Sequence, residues 1–143
     1  MTKVQFYDSV DDDLLRFAVI IARAGGKLVF CKHRERDTYE IPGGHREEGE
    51  EILDTAKREL QEETGALDFH IEPICVYSVT APDNLNHGQE SFGMLYLADI
   101  YEFQKELHHE IGTIILADEL EEDWTYPKIQ PKLIEEAKRR GVL

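Results

Sequence analysis

Cysteine is nearly missing from this chain. The only two among 143 residues, Cys31 and Cys75, lie far apart inside apolar stretches. That excludes a disulfide framework or a zinc ribbon and leaves two reduced, buried thiols as the expectation. Long apolar runs are missing too, since none approaches the ~20 residues needed to cross a bilayer. A basic leader is lacking as well: Met1 to Asp13 carries Asp8, Asp11, Asp12 and Asp13, the wrong charge for one. A cytoplasmic protein with no membrane partner is the expectation. Cations are scarce, 16 Lys and Arg against 30 Asp and Glu, for a net charge of −14. Affinity for nucleic-acid backbones comes from clustered Lys and Arg, so broad nucleic-acid binding is excluded. What remains is more acid than solubility requires, and the useful question is where it sits.

The length fits one domain over residues 1–143, and the hydrophobic fraction of 41% fits a globular core. Arg16 to Ala24 reads as a buried strand, Gly25-Gly26 as a hairpin turn, and Lys27 to Lys32 as its partner strand. Lys32 to Thr38 is a charged loop that leads to Tyr39-Glu40-Ile41 and the breaker Pro42-Gly43-Gly44. Glu50 to Thr64 reads as a helix stopped by Gly65. Asp68 to Thr80, Ser91 to Phe103 and Gly112 to Leu116 read as strands, with a polar loop from Ala81 to Gly88. Pro131 to Arg140 is a closing helix, with Pro131 in its first turn and Gly141 past its end. The sum is a mixed α/β domain of five or six strands and two or three helices.

The two main helices obey different rules. In the closing helix Glu135 and Arg139, and Glu136 and Arg140, are i,i+4 pairs in the favourable order. Leu133, Ile134 and Ala137 supply its apolar side. In the first helix, at ~100° per residue, Ile52, Leu53, Ala56 and Leu60 fall on one arc facing the core. Glu59, Glu62 and Glu63 fall beside that stripe, and none has a cation four residues on. Glu59 and Glu63 are like charges at i,i+4, which costs a few tenths of a kcal/mol. Acids beside a core with no cation next to them in the helix are a local conflict, and such conflicts mark functional sites. A hard cation taking carboxylate oxygens would resolve it; a solvated acidic face is the alternative. Pro42-Gly43-Gly44 favours the cation, because glycine lets backbone approach a ligand closely.

Gly44 to Ala66, GHREEGEEILDTAKRELQEETGA, resembles the signature of the Nudix hydrolases. That signature runs Gly, five residues, Glu, seven residues, then Arg-Glu-aliphatic-any-Glu-Glu-any-Gly-aliphatic. Gly44, Glu50, Arg58, Glu59, Leu60, Glu62, Glu63, Gly65 and Ala66 fill it, Ala66 being smaller than usual. The resemblance implies the Nudix fold, a mixed central β-sheet sandwiched between helices, and a MutT-like pyrophosphohydrolase. It implies that Glu59, Glu62 and Glu63 bind Mg²⁺, with Mn²⁺ as a substitute, and that a carbonyl at Gly43 is a further ligand. Such metals bridge diphosphate oxygens and activate a water. Glu59 would also orient or deprotonate that water, and Glu50 and Arg58 would form a structural ion pair. Glu110 sits where many members place another catalytic loop glutamate; an exposed loop acid is the alternative.

Lys32, Arg34 and Arg36 are the candidates for holding substrate phosphates, although Glu35 and Asp37 alternate with them and a self-neutralised loop fits equally well. Tyr39, Phe92, Tyr96, Trp124 and Tyr126 are candidates for stacking or for core packing. ADP-ribose hydrolases often carry a proline sixteen residues past the signature, where this chain has Pro82. The leading expectation is a nucleoside triphosphate, intact or oxidised, cut to monophosphate and pyrophosphate. ADP-ribose or another nucleoside diphosphate derivative comes second, and a non-catalytic nucleotide-sensing module is the alternative of another class. The resemblance also suggests a homodimer.

Overall fold

The computed structural model describes residues 2–82, 88–105 and 111–143. In chain order it contains β1 (Lys3–Tyr7), a short 3₁₀ turn (Asp12–Leu14), β2 (Leu15–Ala24), β3 (Lys27–His33) and β4 (Gly43–His45). There follow α1 (Ile52–Thr64), β5 (Ala66–Thr80), β6 (Ser91–Phe103), β7 (Ile111–Ala117) and α2 (Gln130–Arg139). One sheet runs β1-β5-β6-β2-β3-β7, with β4 added alongside β2. The β2–β6 pair is parallel, and the other pairings are antiparallel.

β2 shows why the helices take opposite faces. Side chains alternate along a strand. Ala18, Ile20 and Ala22 therefore pack with Ala56 and Leu60 of α1, while Val19 and Ile21 pack with Leu133 and Ala137 of α2. A strand buried on both faces needs an unbroken apolar run, which is what the sequence offers there. This is the mixed sheet between helices that the sequence implied. Both thiols are buried and free. Among the described residues, no helix is long and apolar enough to cross a membrane.

Several details differ from the sequence reading. The sheet gains β1, which lies along β5 from Lys3↔Thr80 to Tyr7↔Val76. β5 begins at Ala66 instead of Asp68. α1 begins at Ile52, leaving Glu50 in the loop before it. Leu53 is 38% exposed and outside the core, whereas Thr55 and Thr64 are buried. Their hydroxyls make this possible, Thr55 by donating to Glu50 and Thr64 by donating to the Leu60 carbonyl. In α2 the Glu136–Arg140 pair forms at 2.7 Å. Arg139 turns instead to Glu136 at i,i+3, so both guanidiniums converge on one carboxylate and hold it down to about 2.

Candidate active site

The site begins with the short strand β4. Ile20 N–H donates to the Pro42 carbonyl at 2.8 Å, and Arg46 N–H to the Arg16 carbonyl at 2.8 Å. With Ala18 opposite Gly44 between them, the antiparallel alternation turns the backbone groups of Gly43 and His45 away from β2. They point toward α1. Gly43 N–H donates to Glu63 Oε1 at 2.6 Å, and the His45 carbonyl accepts from Arg58 Nη2 at 3.0 Å. The Gly43 carbonyl leaves the strand on the same side as its N–H. Both glycines are needed here for want of space. A Cβ on Gly43 would stand 2.6 Å from the Ala18 carbonyl oxygen, and one on Gly44 would overlap the Glu59 carboxylate.

Arg58 organises one side of this junction. It holds Glu50 through two bonds, Nε to Oε2 at 2.8 Å and Nη2 to Oε1 at 3.0 Å. Thr55 adds a third bond to Glu50 at 2.6 Å. These donors, Arg58 first, lower the Glu50 carboxyl to about 2. The expected ion pair of loop and helix is present. Arg58 Nη1 also lies 3.0 Å from Glu59 Oε1 and 3.5 Å from Glu62 Oε2. This corrects the expectation that the helix offers its acids no cation. Arg58 precedes Glu59 and stands four residues before Glu62, on the side that a search four residues forward does not reach.

Glu63 is different. Its carboxylate is buried against the backbone of β4, and burial pushes its carboxyl up to about 8. Glu59 is pushed up to about 7, again chiefly by burial, with Arg58 pulling the other way. Glu62 is more open, with 46% of its side chain exposed. Two residues the sequence reading passed over complete the cluster. His33 Nε2 lies 3.6 Å from Glu63 Oε2 and 3.9 Å from Glu40 Oε1. Ligand atoms of His33, Glu40 and Glu63 all fall within 4.8 Å of one another. Glu40 is buried, which raises its carboxyl, while His33 and Arg36 pull it back. Its signal was an acid between Tyr39 and Ile41 in an apolar stretch; His33 shares its strand face with Cys31 by the period of two.

Oxygen donors gathered from a helix and a glycine turn, one of them desolvated, fit a hard divalent ion. The fit makes a pH test. A carboxyl raised above its unfolded value adds stability below about 4.3, and that stability is lost as pH rises through about 7 for Glu59 and about 8 for Glu63. Glu50 and Glu136 sit near 2, so their contributions are already complete across this window. With EDTA present, Tm should fall as pH rises from about 4.3 to about 8 and level off above it, and millimolar Mg²⁺ should flatten that fall. Calorimetric scans at stepped pH read both; a metal-free Tm constant across the window contradicts the buried cluster.

The glutamates line one cleft together with Arg36, Phe17, Phe92, Tyr126, Pro82 and Glu90. Lys32 and Arg34, named with Arg36 as phosphate candidates, stand outside its lining. Lys32 Nζ instead donates to the Arg36 carbonyl at 3.0 Å, stitching the loop that carries Arg36. Trp124 donates to the Leu120 carbonyl and meets Phe30 edge-on at 5.6 Å, and Tyr96 is buried; both are packing residues. Glu110 lies outside the described residues.

A family profile for the NUDIX domain matches residues 13–136. The chain belongs to the NUDIX family. Among curated proteins it is similar to "Putative 8-oxo-dGTP diphosphatase YtkD" of Bacillus subtilis, 30% identical over 85% of this chain and 73% of that protein. The crystal structure of the Bacillus subtilis pyrophosphohydrolase BsRppH superposes with a TM-score of 0.77 at 26% identity, covering 98% of this chain and 91% of that one. The NUDIX domain of Shewanella oneidensis NrtR, complexed with ADP ribose, shares the fold at a TM-score of 0.62 and 17% identity, over 88% and 87% of the two chains. NUDIX hydrolases act on phosphorus anhydrides of nucleoside diphosphate derivatives and generally need a divalent metal. This chain is a hydrolase of that class.

Proposed function

We propose that this NUDIX hydrolase cuts a nucleoside triphosphate, intact or oxidised, to the monophosphate and pyrophosphate with Mg²⁺. The observation that carries the reading is the buried Glu63 carboxylate held on the Gly43 backbone, with Glu59 against Gly44 beside it. Such a desolvated acid pair costs the apo fold stability and fits a charged ligand better than a surface role. In this reading Glu59, Glu62, Glu63 and the Gly43 carbonyl hold the metal. When bound, the metal supplies Lewis acidity toward the diphosphate oxygens. Glu59 orients the attacking water and takes its proton as the water oxygen bonds to phosphorus and the phosphoanhydride P–O bond breaks. Arg36, at the cleft, pairs with a phosphate oxygen, and Lys32 keeps its loop in place. Glu50 and Arg58 hold the helix and the glycine turn in register.

YtkD supports the triphosphate substrate, since its similarity covers most of both chains. Pro82 in the cleft lining favours ADP-ribose as the second reading. A panel of nucleoside triphosphates, their 8-oxo forms and ADP-ribose, assayed with Mg²⁺ for pyrophosphate and for AMP, separates the two. Pyrophosphate release from triphosphates is the expected result. AMP from ADP-ribose alone would replace it with the second reading, and binding without turnover would leave a sensing module.

A further inference from the structure

Three side chains from three separate segments meet beside the glycine turn. His33 ends β3, Glu40 lies opposite Cys31 across an isolated bridge, and Glu63 comes from the last turn of α1. The Glu40 and Glu63 side chains are 8% and 9% exposed, and all three residues line the cleft, so an ion can reach them. Glu40 is held by Arg36 at 3.2 Å and by the Thr125 side chain. Glu63 keeps Oε1 on the Gly43 N–H and presents Oε2 to the His33 ring, within the field of Glu40, Glu59 and Glu62. His33 Nε2 stands 3.6 Å from Glu63 and 3.9 Å from Glu40, both too long for hydrogen bonds. A protonated imidazole bonded to these carboxylates would close to about 2.8 Å. Three ligands on one transition ion, each ~2.1 Å from it, stand ~3.0–3.4 Å apart. The two imidazole edges therefore need to close by only about half an ångström, in a cluster whose ligand atoms all lie within 4.8 Å of one another.

We propose that His33 Nε2, Glu40 and Glu63 Oε2 form a site for a divalent transition ion, beside the oxygen-only Mg²⁺ set and sharing Glu63 with it. The imidazole decides the class of ion. Mg²⁺ takes oxygen ligands and keeps several waters, whereas Co²⁺ and Zn²⁺ accept a ring nitrogen together with carboxylates. Cys31 shares the strand face of His33, but its thiol is buried and donates to the Glu40 carbonyl. The set is therefore one nitrogen and two carboxylates. His33 has a further interaction besides these, and a ligating ring keeps its second nitrogen for one. An ion here also takes over the charge that Arg36 meets on Glu40, which leaves the guanidinium able to turn toward a substrate phosphate. The site goes beyond the hydrolase reading and does not depend on which nucleotide is cut.

The test is calorimetric titration of Co²⁺, Zn²⁺ and Mg²⁺ into the nucleotide-free wild type, His33→Gln, Glu40→Gln and Glu62→Gln, each checked by thermal melt. The wild type should bind Co²⁺ and Zn²⁺ more tightly than Mg²⁺. His33→Gln should weaken both by at least the roughly tenfold to hundredfold that losing even an outer partner of a metal ligand costs, and leave Mg²⁺ binding where it was. Glu40→Gln should act in the same direction, whereas Glu62→Gln, which touches only the Mg²⁺ set, should leave Co²⁺ and Zn²⁺ nearly unchanged. The wild type also carries a check that needs no variant. A Co²⁺-ligated imidazole gives a strongly shifted, exchangeable ring N–H proton in the NMR spectrum. Co²⁺ and Zn²⁺ held as tightly by His33→Gln, or a Co²⁺ protein without that proton, would overturn the site while leaving hydrolysis with Mg²⁺ untouched. A wild type that binds Co²⁺ through His33 but turns over no triphosphate would keep the site and remove the substrate reading.

Discussion

Glu63→Gln should lower kcat for pyrophosphate release by at least ~10²-fold, on the scale of losing a charge aimed at a reacting group. The substitution is nearly isosteric. Its amide oxygen can still accept the Gly43 N–H that Glu63 accepts at 2.6 Å, so the strand–helix junction survives. What disappears is the negative charge at the most desolvated position of the cluster. The same change should raise the metal-free Tm at pH 8 to 9, because an ionised carboxylate no longer has to be buried. Glu62→Gln should cost less, since Glu62 is half exposed and leans on Arg58. Saturating kinetics beside melts at fixed Mg²⁺ measure both effects. A Glu63→Gln enzyme as active as the wild type would remove Glu63 from the reaction.

Gly44→Ala should fold and fail. A methyl at this position overlaps the end of the Glu59 side chain, which can swing aside but only by breaking its 3.0 Å contact with Arg58. Misplacing a reacting group by about 1 Å costs roughly 10²-fold in rate, so kcat should fall by that order. The stability cost of a tolerated overpacking is about 1–3 kcal/mol, readable in urea titrations. Gly43→Ala should show the opposite balance. Its methyl meets the Ala18 carbonyl at 2.6 Å, backbone that cannot rotate away, so folding suffers first. Wild-type kcat in Gly44→Ala would separate Glu59 from the chemistry.

The signature was legible because its residues act through local spacing. Glu50 reaches Arg58 over a helix entry, Gly65 ends the helix with φ near 76°, and the acids follow the helical period. The sheet was mostly legible too, since β2, β3, β5 and β6 carry long apolar runs. β1 was not, because Lys3–Tyr7 is five residues long and half polar, and exists by pairing with β5. His33 and Glu40 were missed for a related reason. Their meeting depends on the Cys31↔Glu40 bridge, which brings Tyr39-Glu40-Ile41 back beside β3 without a periodic signal. Glu90 gains its place from hydroxyls on two other strands. Composition fixed the acid excess, but only pairing decided which acids share the cleft.

The parallel pairing of β2 with β6 has a kinetic consequence. Arg23 and Asp99, joined by a 2.9 Å ion pair across that seam, are 76 positions apart in the chain. Before the seam closes, β2 can pair with β3 and β4, and α1 can lie on them, from sequence-near contacts alone. The end of the cleft that carries Glu59 and Glu63 can therefore form from local contacts, while the wall shared by Phe17 and Phe92 needs the β2–β6 pairing, which closes a long loop. Closing such a loop is slow and leaves an open strand edge meanwhile. During synthesis, the growing chain can acquire its acidic cluster tens of residues before it acquires the wall against which a base would rest.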